Sequence, residues 1–367
     1  MSAGMGIDDR ELACWVAFSR IQGLGAARVR RLQAHFGSMA AAWKASGSEL
    51  IAAGLELELA DRVLTARSKW DPAAELDACR RLGLRVITWA DPDYPERLRV
   101  IDYPPAVLFV RGNLLSAQAW AVAVVGTRRP TYYGRQVARA LSRDLAACGV
   151  TVVSGLAVGI DTEAHLGALE AGGWTVAVLG SGLDQVYPWE NRQLAERIAE
   201  SGALISEFPP GTQPAAQNFP IRNRIISGLS LGVVVVEADE TSGALITAGY
   251  AADQGRDVFA VPGPITSPQS RGTNRLIQDG AGLVTGADDI LEALKLARID
   301  HQVGLRQAAP ETELELLIVK LLDHTPTHID DLVRQAGRPA GEVGATLALL
   351  ELKGLVRHVG GQYYVRG

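Results

Sequence analysis

Two short runs of this 367-residue chain are apolar at every position, and they constrain the fold more than any other feature. Residues 176–179 read Val-Ala-Val-Leu, and residues 233–236 are four valines. A strand that is apolar on both sides must be buried on both faces, as in a parallel sheet. Helical patterns alternate with candidate strands at 84–89, 106–110, 121–125, 150–154, 174–179, 203–206, 232–237 and 257–261. The sequence therefore predicts an α/β fold in which helices cover both faces of a parallel sheet.

The loop after the candidate strand 121–125 is the strongest pointer to a ligand. Residues 126–131 read Gly-Thr-Arg-Arg-Pro-Thr and lead into a helical pattern. A strand that ends in a small-residue turn and restarts as a helix directs backbone N–H groups and a positive helix dipole to one place. The arginines Arg128 and Arg129 indicate that the ligand is anionic.

Further loops rich in glycine, small or basic residues follow candidate strands or open helices. They contain Ser154, Gly155, Gly180, Gly182, Arg222, Asn223, Arg224, Ser242 and Gly243. Ligands of α/β sheets bind beyond the carboxyl ends of the strands, so these loops are expected to surround one site. Two arginines in a turn that enters a helix, at 222 and 224, are better phosphate ligands than core residues.

Charge and cysteine content narrow the class of protein. The formal net charge of −5 argues against a broadly basic nucleic-acid coat but not against a local groove. Cys14, Cys79 and Cys148 lie far apart, so neither a disulfide framework nor a cysteine metal site is indicated. Acidic residues occupy the region where a signal peptide is cationic, and every apolar run is too short to span a bilayer. We expect a cytoplasmic protein with no membrane partner, no metal and no cofactor.

Changes in composition and the positions of turn- and loop-forming residues divide the chain into four segments, 1–75, 76–298, 299–312 and 313–367. The first is a helical module, SAM-like or helix–hairpin–helix-like, in which residues 21–29 either contact DNA phosphate or merely reverse the chain. The second is the α/β domain, and the third is a linker. The last has three helical patterns and a Gly-Gly hairpin, which predict a winged helix. This last segment holds seven acidic against six basic residues, so a protein contact is at least as well supported as DNA docking.

The ordered motifs between about residues 90 and 290 resemble the DprA (Smf) family, the DNA-processing proteins of bacterial transformation. Besides the loops above, the matching segments are 93–95, 111–113, 219–224, 255–263 and 272–277. The resemblance implies an extended Rossmann domain that binds single-stranded DNA, forms a homodimer and delivers the strand to the recombinase RecA. It also implies that the helical and winged-helix modules are accessory parts found in some members.

Matched position by position, the resemblance implies which residues form the DNA groove. They are Gly126, Thr127, Arg128, Ser154, Gly155, Gly180, Gly182, Arg222, Asn223 and Arg224, and we add Ser242 and Gly243 at the next helix entry. Members often carry a lysine where this chain has Trp189, which either stacks on a base or packs over a loop. Dimer and recombinase contacts map to about residues 255–283, where Ile277 and Leu283 are candidate anchors or simply core residues.

An enzyme of related fold is the alternative from another class. Nucleotide phosphoribohydrolases carry a Pro-Gly-Gly-x-Gly-Thr turn closely followed by a catalytic glutamate, which residues 241–247 lack. Asp161, Glu207 and Glu237 could serve acid–base chemistry, or could orient backbone and cap helices. His165, four residues after Asp161, is too little for a metal site. We therefore expect a protein without catalytic residues that protects incoming single-stranded DNA and loads RecA, the alternative being a nucleotide-processing enzyme.

Overall fold

The computed structural model divides the chain into two compact units, Met1–Ile299 and Asp300–Gly367. The residues that it describes are 8–114, 120–296, 312–322, 327–352, 355–358 and 361–366. The predicted linker at 299–312 lies outside the described residues except for Thr312. No helix in the described part of the chain combines the length and the apolar character needed to cross a membrane.

Six helices precede the sheet in the first unit. They are α1 (Asp9–Ser19), α2 (Ala26–Phe36), α3 (Met39–Ala42), α4 (Gly47–Ala52), α5 (Leu57–Lys69) and α6 (Pro72–Arg81). The buried rings of Trp15 and Phe18 on α1 belong to the same hydrophobic core as the sheet residues Leu108 and Phe109. α6 begins with Asp71 as its N-cap and runs past residue 75, so the predicted domain boundary falls inside a helix.

A nine-stranded sheet forms the centre of the first unit. Its strands are β1 (Arg85–Thr88), β2 (Val107–Gly112), β3 (Ala121–Val125), β4 (Thr151–Ser154), β5 (Thr175–Val178), β6 (Gly202–Ser206), β7 (Gly232–Val235), β8 (Asp257–Ala260) and β9 (Gly282–Leu283). Their spatial order is β1-β2-β6-β5-β4-β3-β7-β8-β9, and every neighbouring pair from β6 to β9 is parallel. The predicted α/β fold with its parallel core is confirmed.

One edge of the sheet departs from the prediction. β2 pairs antiparallel with both β1 and β6. The connection from β1 to β2 contains only the short helix α7 (Glu96–Arg99), and antiparallel neighbours need no helical crossover. The expectation of parallel strands was wrong here because the apolar pattern of a strand reports its burial and not its direction. The two-residue β9 was not predicted, since so short a strand leaves no pattern.

Helices cover both faces of the sheet. They are α8 (Tyr132–Ala147), α9 (Ile160–Glu170), α10 (Arg192–Glu200), α11 (Asn218–Leu229), α12 (Gly243–Asp253), α13 (Arg271–Gln278) and α14 (Ala287–Ala293). Alternate residues of β3 show the two faces. Val122 and Val124 belong to the core that contains residues of α8, α9 and α14, whereas Ala123 and Val125 belong to the core that contains residues of α10, α11 and α12.

The order of the strands creates a crevice beside β3. β3 lies between β4 and β7, so the chain leaves β3 on one side and reaches its other neighbour only after three further strands. Such a switch in strand order is where open α/β sheets bind ligands, beyond the carboxyl ends of the strands. The β3–α8 loop and the β7–α12 loop flank this crevice.

The second unit has the helices and the hairpin expected of a winged helix. Its elements are α15 (Glu313–Leu321), β10 (Thr327–His328), α16 (Ile329–Ala336), α17 (Ala340–Leu352), β11 (Val356–His358) and β12 (Tyr363–Arg366). Ile318, Leu332, Val343 and Leu347 are fully buried in its core. β10 adds a third strand beside β12. β10 stands where the sequence predicted the start of the second helix of this segment. The predicted arrangement is confirmed.

Candidate nucleic-acid interface

A cavity of about 770 Å³ opens at the crevice beside β3. We call it the switch-point cavity. The predicted site residues that line it are Gly126, Thr127, Arg128, Arg222, Asn223, Ser242 and Gly243. The structure thus brings together residues from the β3–α8 loop, the first turns of α11 and the entry of α12.

The β3–α8 loop presents Arg128 and Arg129 at the cavity, and both are exposed. The Cζ atom of Arg128 lies 5.4 Å from the ring centroid of Phe219. Neither arginine forms an ion pair with a residue that the structure describes. Thr127 fixes the turn, because its N–H donates to the Glu237 carbonyl at 2.7 Å and its Oγ1 accepts the Arg129 N–H at 3.2 Å. The loop therefore holds two available cations on a braced turn.

Arg222 forms part of the cavity wall but is largely buried, with 4% of its surface exposed. Its Nη1 donates to the Gly155 carbonyl at 2.7 Å and also to the Val178 carbonyl. Burial lowers the pKa of Arg222 to about 10, and the nearby Asp161 opposes that shift. Arg222 is therefore a cation at neutral pH that ties the ends of β4 and β5 together.

Ser154 and Gly155 lie behind Arg222 rather than on the cavity wall. Ser154 Oγ donates to the Val124 carbonyl at 2.7 Å, and the Gly155 N–H donates to Asp161 Oδ2 at 3.1 Å. A Cβ atom at position 155 would lie 2.7 Å from the guanidinium of Arg222. Glycine is required there because Arg222 needs the space, so this loop supports the arginine.

Gly180 and Gly182 also support the wall without lining it. A Cβ atom at position 180 would lie 2.9 Å from the ring of Phe219, so Gly180 gives that ring its place. The Gly182 N–H donates to the Thr212 carbonyl at 2.9 Å. This loop therefore packs against the protein's own Phe219 ring and Thr212 carbonyl.

The entry of α12 is open to the cavity. Gly243 is exposed, and a Cβ atom there would meet nothing within 4 Å. Ser242 Oγ accepts the Ala244 N–H at 3.3 Å and caps the helix. Asn223 Nδ2 donates to the Gly243 carbonyl at 3.3 Å, which joins α11 to α12.

The structure does not bring Arg224 to this cavity. Its Nη1 and Nη2 donate to Glu207 Oε1 and Oε2 at 2.7 and 2.6 Å, and its Nε donates to the Tyr103 carbonyl at 3.1 Å. Two residues of helix turn a side chain by about 200°, so Arg222 and Arg224 point to different sides of α11. We correct the sequence assignment accordingly: the charge of Arg224 is neutralised by Glu207, and the pair serves the fold.

Aromatic side chains border the site. Tyr187 and Phe219 line the cavity, with ring centroids 5.7 Å apart. Trp189 does not line it and is 69% exposed, with the Cζ atom of Arg192 4.8 Å from its ring centroid. The Trp189 ring is therefore open to solvent rather than packed over a loop.

Sequence analysis named Arg129 as a sign of an anionic ligand without placing it in the groove, and it did not assign Phe219 or Tyr187 to the site. The signal that could have found them is an aromatic ring in a polar loop close to arginines, since single-stranded nucleic acid is held by stacking as well as by charge. Their convergence depends on loops that are far apart in the chain.

The arginines that follow the predicted helix–hairpin–helix turn contact protein groups. Arg28 Nε and Nη2 donate to the carboxylate of Glu56 at 3.0 and 2.9 Å. Arg31 Nη1 donates to the Gly54 carbonyl at 3.1 Å, and Arg30 lies over the ring of Trp89.

The candidate partner residues lie apart from the cavity. Ile277 on α13 is half-buried, whereas Leu283 on the edge strand β9 is 51% exposed. In the same segment, Ile265 is 89% exposed.

Two titratable groups near the cavity, Asp161 and His165, are buried within the fold. Asp161 Oδ2 also accepts the Ala157 N–H at 3.3 Å; burial raises the pKa of Asp161, and Arg222 opposes that shift. His165 Nδ1 lies 2.7 Å from Thr175 Oγ1, and burial lowers the pKa of His165 to about 3. Among the described residues, no three potential ligands of a metal ion come together.

A family model described as DNA recombination-mediator protein A matches residues 85–295, more than half of the chain. The chain belongs to the DprA family. A second model, the DprA winged helix domain, matches residues 305–362 and agrees with the fold of the second unit.

Relatives and solved structures of the DprA family support this assignment. Protein Smf of Synechocystis is 37% identical over 97% of this chain and 99% of its own length. DNA processing protein DprA of Bacillus subtilis is 46% identical over 62% of this chain and 76% of its own. The X-ray structure of DprA from Streptococcus pneumoniae has a TM-score of 0.69 at 36% identity and covers 78% of this chain and 98% of that chain. DprA from Helicobacter pylori, described for its single-stranded DNA binding mode, has a TM-score of 0.52 at 30% identity and covers 57% and 96%.

Proposed function

We propose that this member of the DprA family binds single-stranded DNA across the switch-point cavity, protects it and hands it to RecA during natural transformation. The observation that carries the proposal is the placement of Arg128 5.4 Å from the ring of Phe219. An exposed guanidinium suited to a phosphate thus stands beside a ring suited to a base. The description of the Helicobacter pylori relative by its single-stranded DNA binding supports the same ligand.

The basic and the aromatic side chains at the cavity have different roles in this proposal. Arg128 and Arg129 neutralise phosphates, which releases counterions and makes the affinity sensitive to salt. Phe219 and Tyr187 offer faces on which bases stack, each worth about 1–3 kcal/mol, and the exposed Trp189 offers another. Because every base has such a face, we expect little dependence on sequence. Duplex DNA binds less well, since the crevice between the loops admits one flexible backbone and paired bases are not free to stack.

The geometry does not favour the nucleotide-processing alternative. The carboxylate of Asp161 accepts N–H groups of its own loop, and that of Glu237 accepts the N–H and the hydroxyl of Thr131. Carboxylates held in this way orient backbone, and they are not free to take a proton from a substrate.

Dimer formation and RecA binding belong to the same proposal. Leu283 on the edge strand β9 and Ile265 in the loop before α13 are both exposed apolar side chains, which supports an apolar contact with a partner, and half-buried Ile277 lies between them in sequence. If the protein sediments as a monomer at micromolar concentration in analytical ultracentrifugation, dimer formation must be removed from the proposal.

Fluorescence anisotropy tests the binding function. Labelled oligo-dT and a duplex of equal length are titrated with the full chain at several salt concentrations. We expect salt-dependent preference for the single strand, and Arg128→Ala should weaken binding to all sequences alike and reduce the salt slope by about 0.7.

The matched control is Arg81→Ala, which removes an exposed arginine at the end of α6, outside the cavity lining. It should bind like the wild-type chain. Equal loss in both variants, or no loss in Arg128→Ala, would contradict the assignment of the groove. Deleting residues 299–367 should leave oligo-dT binding intact, because the proposed groove lies in the first unit.

A further inference from the structure

A buried carboxylate bridges the crevice beneath the cavity. Glu237 follows β7 and is 2% exposed. Its Oε2 accepts the Thr131 N–H at 2.8 Å, and its Oε1 accepts the Thr131 hydroxyl at 2.6 Å. Its carbonyl accepts the Thr127 N–H at 2.7 Å. One residue of the β7–α12 loop thus binds the β3–α8 loop with both its side chain and its main chain.

The carboxylate of Glu237 lies over the first turn of α8. A Cβ atom at Gly134 would be 2.2 Å from Glu237 Oε2, so only glycine leaves room for it. The Gly134 N–H donates to Thr131 Oγ1 at 3.1 Å, so the N-cap hydroxyl is engaged on both sides. The positive end of a helix dipole and its free N–H groups normally favour an anion at this place. In this chain the anion is the protein's own.

The same arrangement recurs in the neighbouring loops. Asp161 accepts N–H groups of the β4–α9 loop, Asp184 accepts the Gly211 N–H at 2.8 Å, and Asp239 accepts the Thr241 N–H at 2.8 Å. The sequence prediction that the β3–α8 turn offers free N–H groups to a phosphate is therefore wrong at Thr127 and Thr131. The exposed arginines Arg128 and Arg129 of that loop stay open to an anion.

We propose that Glu237 is a specificity-determining residue whose carboxylate occupies the anion position of α8 and so excludes terminal phosphates and free nucleotides from the crevice. A phosphate seated there would need the space of the carboxylate and would face its charge. A strand lying across Arg128 and Arg129 avoids both problems, because its phosphates stay at the mouth of the cavity. This inference rests on the proposed function only in taking single-stranded DNA as the ligand that the crevice admits.

Glu237→Ala tests the proposal by vacating the space and removing the charge. Thermal unfolding is followed with and without inorganic phosphate, and the same is done with thymidine monophosphate. Saturating phosphate should raise the Tm of this variant by about 2 °C or more beyond its effect on the wild type, because only the variant binds phosphate at the α8 position in its folded state. Thymidine monophosphate should also displace oligo-dT from the variant at a concentration well below that needed for the wild type.

Glu240→Ala is the matched control, since it removes an exposed negative charge three residues away without opening the α8 position. It should respond to phosphate as the wild type does. A wild-type chain that binds thymidine monophosphate as tightly as Glu237→Ala does, or a folded Glu237→Ala that gains nothing from phosphate, overturns the proposal.

If Glu237→Ala does not fold even in phosphate, the near-isosteric Glu237→Gln decides. It removes the charge and weakens the hold on Thr131, so a phosphate can displace the amide side chain from the α8 position without facing a like charge. Thymidine monophosphate should therefore displace oligo-dT from it at a concentration about tenfold below that needed for the wild type. Equal concentrations overturn the proposal. Wild-type binding of oligo-dT is measured alongside and tests the proposed function separately. If the wild type does not bind oligo-dT while phosphate still raises the Tm of Glu237→Ala, the single-strand function fails and the role of Glu237 stands.

Discussion

Replacing Arg222 with methionine separates a supporting role for this residue from a direct contact with phosphate. Methionine keeps much of the length of the side chain and removes its charge. Arg222 is 4% exposed and Asp161 is 8% exposed, so the change leaves a buried carboxylate without the nearby cation that opposes its rise in pKa. It also removes the donors to the Gly155 and Val178 carbonyls.

Leaving two buried carbonyls without their charged donor, and a buried carboxylate without a nearby cation, costs about 3–5 kcal/mol in all. For a unit of this size we expect the Tm of Arg222→Met to fall by roughly 5–15 °C. Asp161→Asn in the same chain should restore part of the loss, because a neutral amide needs no cation, and a coupling of about 0.5–3 kcal/mol is expected.

The dependence on pH has a definite sign. Burial raises the pKa of Asp161 and Arg222 opposes that shift, so the pKa rises further in the variant. A carboxyl group with a raised folded pKa stabilises the fold below its unfolded pKa and loses that contribution as the pH rises. The stability deficit of Arg222→Met should therefore shrink as the pH is lowered from 8 to 5.

Chemical denaturation at several pH values, with oligo-dT binding measured under native conditions, provides the assay. Arg81→Met, a change at an exposed site, should stay within about 0.5 kcal/mol of the wild type. A folded Arg222→Met of wild-type stability that loses affinity and salt slope would refute this reasoning and restore Arg222 as a phosphate ligand.

Two further predictions concern the supports of the site. Burial lowers the pKa of His165 to about 3, so its contribution to stability is complete above the unfolded pKa and is lost as the pH falls. The free energy of unfolding should decrease by about 3 kcal/mol between pH 7 and pH 4. His165→Asn should flatten that part of the denaturation profile. Gly134→Ala should destabilise the fold by about 1–3 kcal/mol, since its Cβ would meet the Glu237 carboxylate. Gly249→Ala, which has open space inside α12, should stabilise the fold by about 0.5–1 kcal/mol. Equal denaturation midpoints for the two glycine variants would contradict this prediction.

Much of the fold could be predicted because its signals are local. The apolar runs 176–179 and 233–236 mark strands buried on both faces, and the hairpin and helical patterns beyond residue 313 mark a winged helix. The direction of β2 could not be predicted, since it depends on which strand edge is free when the sheet assembles.

The sequence by itself determined that glycine-rich and basic loops would gather beyond the carboxyl ends of parallel strands, because apolar periodicity marks the buried strands and the residues that follow each strand are read directly from the chain. Only the tertiary structure decided what each loop does there. Arg224 pairs with Glu207, whereas Arg128 pairs with no carboxylate in the part of the chain that the structure describes. Glu237 reaches Thr131 across 106 residues of chain to fill the place of a phosphate. A charged side chain is neutralised, buried or left available according to its partners in space, and those partners come from distant segments that only the completed fold brings into contact.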